Sequence, residues 1–245
     1  MKKKLTSINE KIRINTQIVR YFQEAHGYLA WPKGKERYPG IVMIHDYWGL
    51  NEEIKQLAQK LAKNGYNVLV VDLFYGQVTS DPERAMKLIK TIGQSESLKN
   101  MRAAASYLRA EFESERIASI GWGFGGSQSL QLGLSGEKIN GIVIYCGNVF
   151  SGKEFLKKLT CPVLGIFGEQ DDLVPLESVK EFENTLKTLQ IENEIYVYPG
   201  KGHLFANPLS SEFSPIDAKD AWEKTLAFLN RNLKYFRKIK VEIKE

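Results

Sequence analysis

Scarcity bounds this 245-residue chain before any motif does. It has two cysteines, Cys146 and Cys161, too few for a disulfide framework at this length, which points to a reducing cytoplasm. No apolar run approaches the roughly 18 residues of a membrane-spanning helix. "MKKKLTSINEKI" has no apolar stretch behind its basic start, so it does not read as a secretory signal. There is no internal repeat, no low-complexity block and no long Pro/Gly/Ser linker, so one domain is expected over 1–245. Histidine is scarce, three in all. Most tellingly, a reactive side chain is lacking at the centre of "GWGFGG", residues 121–126.

The formal charge is +5, and its distribution argues against nucleic acid. Residues 1–13 carry a net +4 and residues 231–245 another +4, which leaves the body at −3. A nucleic-acid binder needs a basic groove on the body, with aromatics interleaved. The two ends, 1–15 and 234–245, read instead as basic terminal extensions. "KIKVEIKE" alternates apolar residues with charges as an exposed edge strand does, and "TQIVRYF" is its expected partner. Nothing suggests a membrane partner, and a monomer or homodimer acting on a small molecule is expected.

The body alternates apolar runs with amphipathic stretches. "GIVMIHD" (40–46), "YNVLVVDLF", "RIASIG", "NGIVIYC" (140–146), "CPVLGIFG" (161–168) and "NEIYVYPG" (193–200) read as strands. Asn51 caps a helix that Asn64-Gly65 stops. Asp81 with Pro82 opens a second, which "SESLKNMRAAASYLRAEF" continues. A helix from about Leu176 to Leu189 precedes the last of these strands, and Ser214, Pro215 and Asp217 open a final one. The expectation is an α/β fold with a doubly wound, mainly parallel sheet flanked by helices.

"GWGFGG", between a strand and a helix, has two readings. As G-x-G-x-x-G it is a dinucleotide fingerprint, and an oxidoreductase would follow. That reading needs an acidic residue about 20 positions on, at the end of the next strand. "YCGNVF" stands there, with Asn148. As a nucleophile elbow it needs an acid and then a histidine downstream, each at a strand end. "GIFGEQDDLVP" supplies Asp171 and "YPGKGHLFANP" supplies His203. The order Gly123, Asp171, His203 across three strand ends favours the elbow.

With these residues in view, the chain resembles the dienelactone hydrolase family of α/β-hydrolases. The likeness runs from "HGYLAWPKGKERYPGIVMIHDYWGLN" to "DAWEKTLAFLNRNL", and "HDYWGLN", "GWGFGG", "GEQDDLVP" and "GHLFANP" are its most specific pieces. The resemblance implies an α/β-hydrolase fold without a large lid domain, and hydrolysis of carboxylic esters or lactones with no cofactor and no metal. It makes position 123 the nucleophile, cysteine in the family, Asp171 the orienting acid and His203 the base. Asp46 matches the family's glutamate that contacts the resting thiol, one methylene shorter. The family's substrate-carboxylate arginine aligns with Asn207, which departs from dienelactone itself as substrate. In such a site a carboxylate-held histidine activates the thiol. Backbone N–H groups, here of Tyr47 and Phe124, form the oxyanion hole. Trp48, Trp122, Phe124 and Phe205 are the expected walls of an apolar pocket, although core packing explains Trp122 equally well.

Glycine suits the strained, positive-φ elbow and leaves the fold intact. It removes the nucleophile, so activity is expected to be absent or strongly impaired. Ser127, a turn along the helix, and Cys146, at a neighbouring strand end with a plain structural reading, are weak substitutes. Three accounts fit Gly123: an engineered knockout, a natural pseudo-hydrolase that binds small molecules without turnover, or hydrolysis by a water that His203 activates.

Overall fold

The computed structural model describes residues 12–208 and 210–234. Eight strands form one sheet in the order β1-β2-β4-β3-β5-β6-β7-β8. They are β1 (Ile14–Phe22), β2 (Ala25–Pro32), β3 (Gly40–Ile44), β4 (Asn67–Val71), β5 (Ile117–Trp122), β6 (Ile142–Tyr145), β7 (Val163–Gly168) and β8 (Asn193–Tyr198). From β4 across to β8 every pairing is parallel, while β1 and β2 pair antiparallel at one edge. The helices are α1 (Glu52–Ala62), α2 (Pro82–Thr91), α3 (Gln94–Phe112), α4 (Phe124–Leu134), the short α5 (Lys153–Leu156), α6 (Leu176–Thr188) and α7 (Pro215–Leu229), which runs on into a π-helical turn. No large lid is inserted among the described residues, and no helix there is long and apolar enough to cross a membrane.

The apolar strand runs are continuous because successive side chains serve two opposite cores. In β3, Val42 and Ile44 join the core under α3 and α6, while Ile41 and Met43 join the one under α1 and α7. Local signals set the helix ends. The Asn51 side chain accepts from Ile54 N at 3.1 Å, and Asp81 accepts from Glu83 N at 2.9 Å. Ser214 opens α7 as expected, yet its hydroxyl donates to Asp217 rather than capping the backbone.

Three expectations change. The helical stretch after Asp81 breaks at Gly93 into α2 and α3. "TQIVRYF" lies in β1 and pairs with β2, a strand not expected from sequence; "KIKVEIKE" lies outside the described residues. β1 begins at Ile14, so the sheet starts within the stretch assigned to a basic extension.

The glycines of the elbow are contact points. A Cβ on Gly121 would sit 2.2 Å from backbone atoms of Gly125, and one on Gly125 would sit 2.4 Å from the Ile44 carbonyl. Their bareness lets α4 start directly against β3 and β5. Gly125→Ala is therefore expected to lower stability by about 2 kcal/mol or more, since only backbone can yield. Urea unfolding measures it; unchanged stability would contradict this packing.

Candidate active site

Every candidate residue follows a parallel strand at its C-terminal end, where α/β sheets place their sites. Asp46 follows β3, position 123 follows β5, Asp171 follows β7 and His203 follows β8. Gly123 has φ +50° and ψ −114° and directly precedes α4, the strained turn expected of an elbow.

The acid and base meet. His203 Nδ1 lies 2.8 and 3.0 Å from the two carboxylate oxygens of Asp171. Asp171 Oδ1 also accepts from Leu173 N and Val174 N at 2.8 and 2.9 Å, so its side chain is fixed and wholly buried. Burial works against charge on His203, but the Asp171 hydrogen bond and charge, with Asp46 and Glu212, outweigh it and hold the imidazole above its ordinary pKa. For Asp171 burial likewise opposes ionisation, and the bond to His203 and the two backbone donors reverse it, so its pKa is lowered.

The oxyanion donors also meet, on an occupant. Tyr47 N and Phe124 N both donate to Asp46 Oδ1, at 2.7 and 3.3 Å. A Cβ built on Gly123 would lie 2.5 Å from that same oxygen. The Asp46 carboxyl thus fills both the hole and the space of the absent side chain. His45 fixes the loop beneath. Its Nε2 takes the Leu73 N–H at 3.1 Å, so Nδ1 carries the proton and donates to the Asp46 carbonyl at 2.7 Å. Burial lowers the His45 pKa, which keeps the ring neutral. Burial raises the Asp46 carboxyl to about 6 against the lowering effect of the two N–H donors and of His203, with Glu53 adding to the rise.

These groups open into a cleft of about 610 Å³. Trp48, Trp122 and Asn207 line it as expected, together with Leu57 and Lys60 from α1. Two aromatics correct the expectation. Phe205 is fully buried against Tyr198, ring centroids 4.9 Å apart, so it belongs to the core and not to the pocket. The Phe124 ring turns the other way, stacking on Phe74 at 5.8 Å, and only its backbone N–H serves the site. Ser127 Oγ donates to the Gly123 carbonyl and accepts from Asn148 N, a local structural role.

Cys146 is closer to the chemistry than a structural reading allows. It adopts φ +45° just after β6, lines the cleft and lies close to Asp171, its Sγ within 4.8 Å of a carboxylate oxygen. Burial and the Asp171 charge push its thiol far above the ordinary range, so it is a thiol and not a thiolate. Its position after a strand end, shared with Asp171 and His203, was the available signal. Donor atoms of Cys146, Asp171 and His203 lie within 4.8 Å of one another. The 2.8 Å between Nδ1 and Oδ2 is shorter than the roughly 3.3 Å between two ligands of a tetrahedral zinc with bonds near 2.0 Å. The cluster is built as a hydrogen-bonded relay.

A sequence model of the dienelactone hydrolase family matches residues 25–233. A Bradyrhizobium protein named "Probable 2-oxo-3-(5-oxofuran-2-ylidene)propanoate lactonase" is 27% identical over 220 residues, covering 84% of this chain and 89% of its own. Protein usf of Aquifex pyrophilus is 26% identical over 220 residues, covering 86% and 94%. Among solved structures, a dienelactone hydrolase-like promiscuous phosphotriesterase from metagenomic libraries superposes with TM-score 0.81 at 22% identity, covering 89% and 98%.

Two predictions follow from the charges. Asp171→Asn removes the charge that contributes most to raising His203 and leaves burial opposed only by the charges of Asp46 and Glu212, so the imidazole pKa should fall when followed by NMR; an unchanged value would refute the assignment. A carboxyl with a raised folded pKa costs no stability below its unfolded pKa, near 3.9, and its full cost appears above its folded pKa, about 6. Asp46→Asn should therefore stabilise the protein by about 2 kcal/mol at pH 8, and the gain should vanish at pH 4. Equal gains at both pH values in chemical denaturation would contradict the burial of this charge.

Proposed function

The chain belongs to the dienelactone hydrolase family, and from that premise we propose that its cleft takes small carboxylic esters or lactones, with the family's covalent route closed at position 123. His203 is the general base, Asp171 orients it, and the apolar walls of Trp48 and Trp122 hold the acyl or lactone part. One observation carries the reading: Asp46 Oδ1 stands 2.5 Å from where a nucleophile's Cβ would be, too close for both to fit. Turnover of an ester is left to a water activated by His203. Deleting the nucleophile of a hydrolase triad lowers turnover by about 10⁶. Here the loss deepens, because the ester's developing oxyanion must compete with Asp46 for the two N–H donors.

The occupied hole also favours a second reading, a small-molecule-binding protein of the same family without turnover. Saturable heat on calorimetric titration with short-chain lactones, and no hydrolysis, would distinguish it.

The hydrolase reading makes a sharp prediction for 4-nitrophenyl acetate. The parent should run close to the buffer rate. Gly123→Cys alone should gain little, because the new side chain meets Asp46 at φ +50°. G123C/D46A opens both the space and the hole and should gain at least about 100-fold, a small share of what a triad nucleophile supplies. A folded double variant no faster than the parent would overturn the reading.

A further inference from the structure

An oxyanion hole stabilises charge on whichever atom it holds during reaction. In this cleft that atom belongs to the protein: both donors point at Oδ1 of Asp46. We propose that Asp46 is itself a covalent nucleophile, and that, beyond the ester and lactone reading, the substrate of this nucleophile is a small primary alkyl halide.

The position of the hole selects the substrate. Attack on an ester carbonyl places negative charge on a substrate oxygen, and that oxygen would need donors already engaged. Attack on a saturated carbon makes no such demand. With Oδ1 held, an electron pair of Oδ2 forms the new O–C bond, the carbon–halogen bond breaks, and the halide leaves with its pair. No proton moves in this step. The product is an alkyl ester of Asp46. Water then attacks Cγ of Asp46 and gives one proton to His203. The charge develops on Oδ1, where Tyr47 N–H and Phe124 N–H already point. Collapse of the tetrahedral species expels the alkoxide, which takes the proton back from His203. The carboxyl group is regenerated with one oxygen from water and releases the remaining proton to solvent.

Several features fit. A carboxylate is an established covalent nucleophile. The bare residue 123 becomes a requirement, since a side chain there would evict Asp46. Asp46 meets His203 and Glu53 as charged neighbours, and although burial raises its carboxyl to about 6 it is ionised at neutral pH. His203 meets Asp171, Asp46 and Glu212. Esterification removes the Asp46 charge, one of those that raise the imidazole pKa, which favours the neutral ring that the second step uses. A halide leaves without a proton, and Lys60 lines the same cleft.

The test uses 1-bromobutane. His203→Gln blocks the second step, so the folded variant should accumulate one butyl group per chain, located on the peptide carrying Asp46 by mass spectrometry. Asp46→Asn should take up none. The unaltered protein, in excess over substrate in ¹⁸O-water, should release butanol containing ordinary oxygen and acquire ¹⁸O in the Asp46 carboxylate. Butanol carrying ¹⁸O from that single turnover, a butyl group on Cys146 or on no residue, or no bromide release would overturn the proposal. No arm reads ester hydrolysis, so this inference and the preceding one succeed or fail separately.

Discussion

Two backbone N–H groups, of Tyr47 and Phe124, converge on one oxygen of Asp46, and the rest of the cleft is organised around that convergence. The donors come from separate strand ends, one after β3 and one after β5. They can meet only because bare glycines let α4 begin against the β3 backbone. The neutral His45 holds the other side, gripping the Asp46 carbonyl from below while it accepts from Leu73. A buried carboxylate is costly unless hydrogen-bonded, and these donors are what keep its pKa from rising further.

The site therefore has two halves. The acid–base half is complete: His203 on Asp171, Asp171 on two backbone donors, and the Cys146 thiol behind it. The other half, around position 123, holds a carboxylate and a glycine. Glycine at 123 leaves room for the Asp46 carboxyl against the backbone of that position. Positions 46 and 123 are coupled, because a Cβ at 123 would lie 2.5 Å from Asp46 Oδ1.

Much of this was legible in the sequence. The six parallel strands were visible because a doubly covered strand is apolar on both faces. Helix starts were visible because Asn51 and Asp81 supply side-chain oxygens to orphan amides. The order Gly123, Asp171, His203 located the cleft because strand ends on one sheet edge are neighbours in space. The β1–β2 hairpin was not legible. Half of β1 faces solvent, and its turn uses Gln23 at φ +41° where glycine or asparagine would have marked it. Phe205 was misplaced because a residue two past a loop histidine can face either the cleft or the core, and only packing decides. Cys146 was undervalued because sequence gives strand ends but not which side chains at those ends touch. Tyr47 N–H and Phe124 N–H were expected to point at one place, and they do, but the Asp46 oxygen they meet there was not foreseen: reach across a loop depends on a fraction of an ångström.

The central claim is a matter of where one oxygen sits. A crystal structure of the unaltered, unliganded protein at pH 8, above the titration of Asp46, would settle it directly. Asp46 Oδ1 should lie within hydrogen-bonding distance of both Tyr47 N and Phe124 N, with no solvent between. A water molecule in the hole, with the carboxylate turned into the cleft, would contradict it.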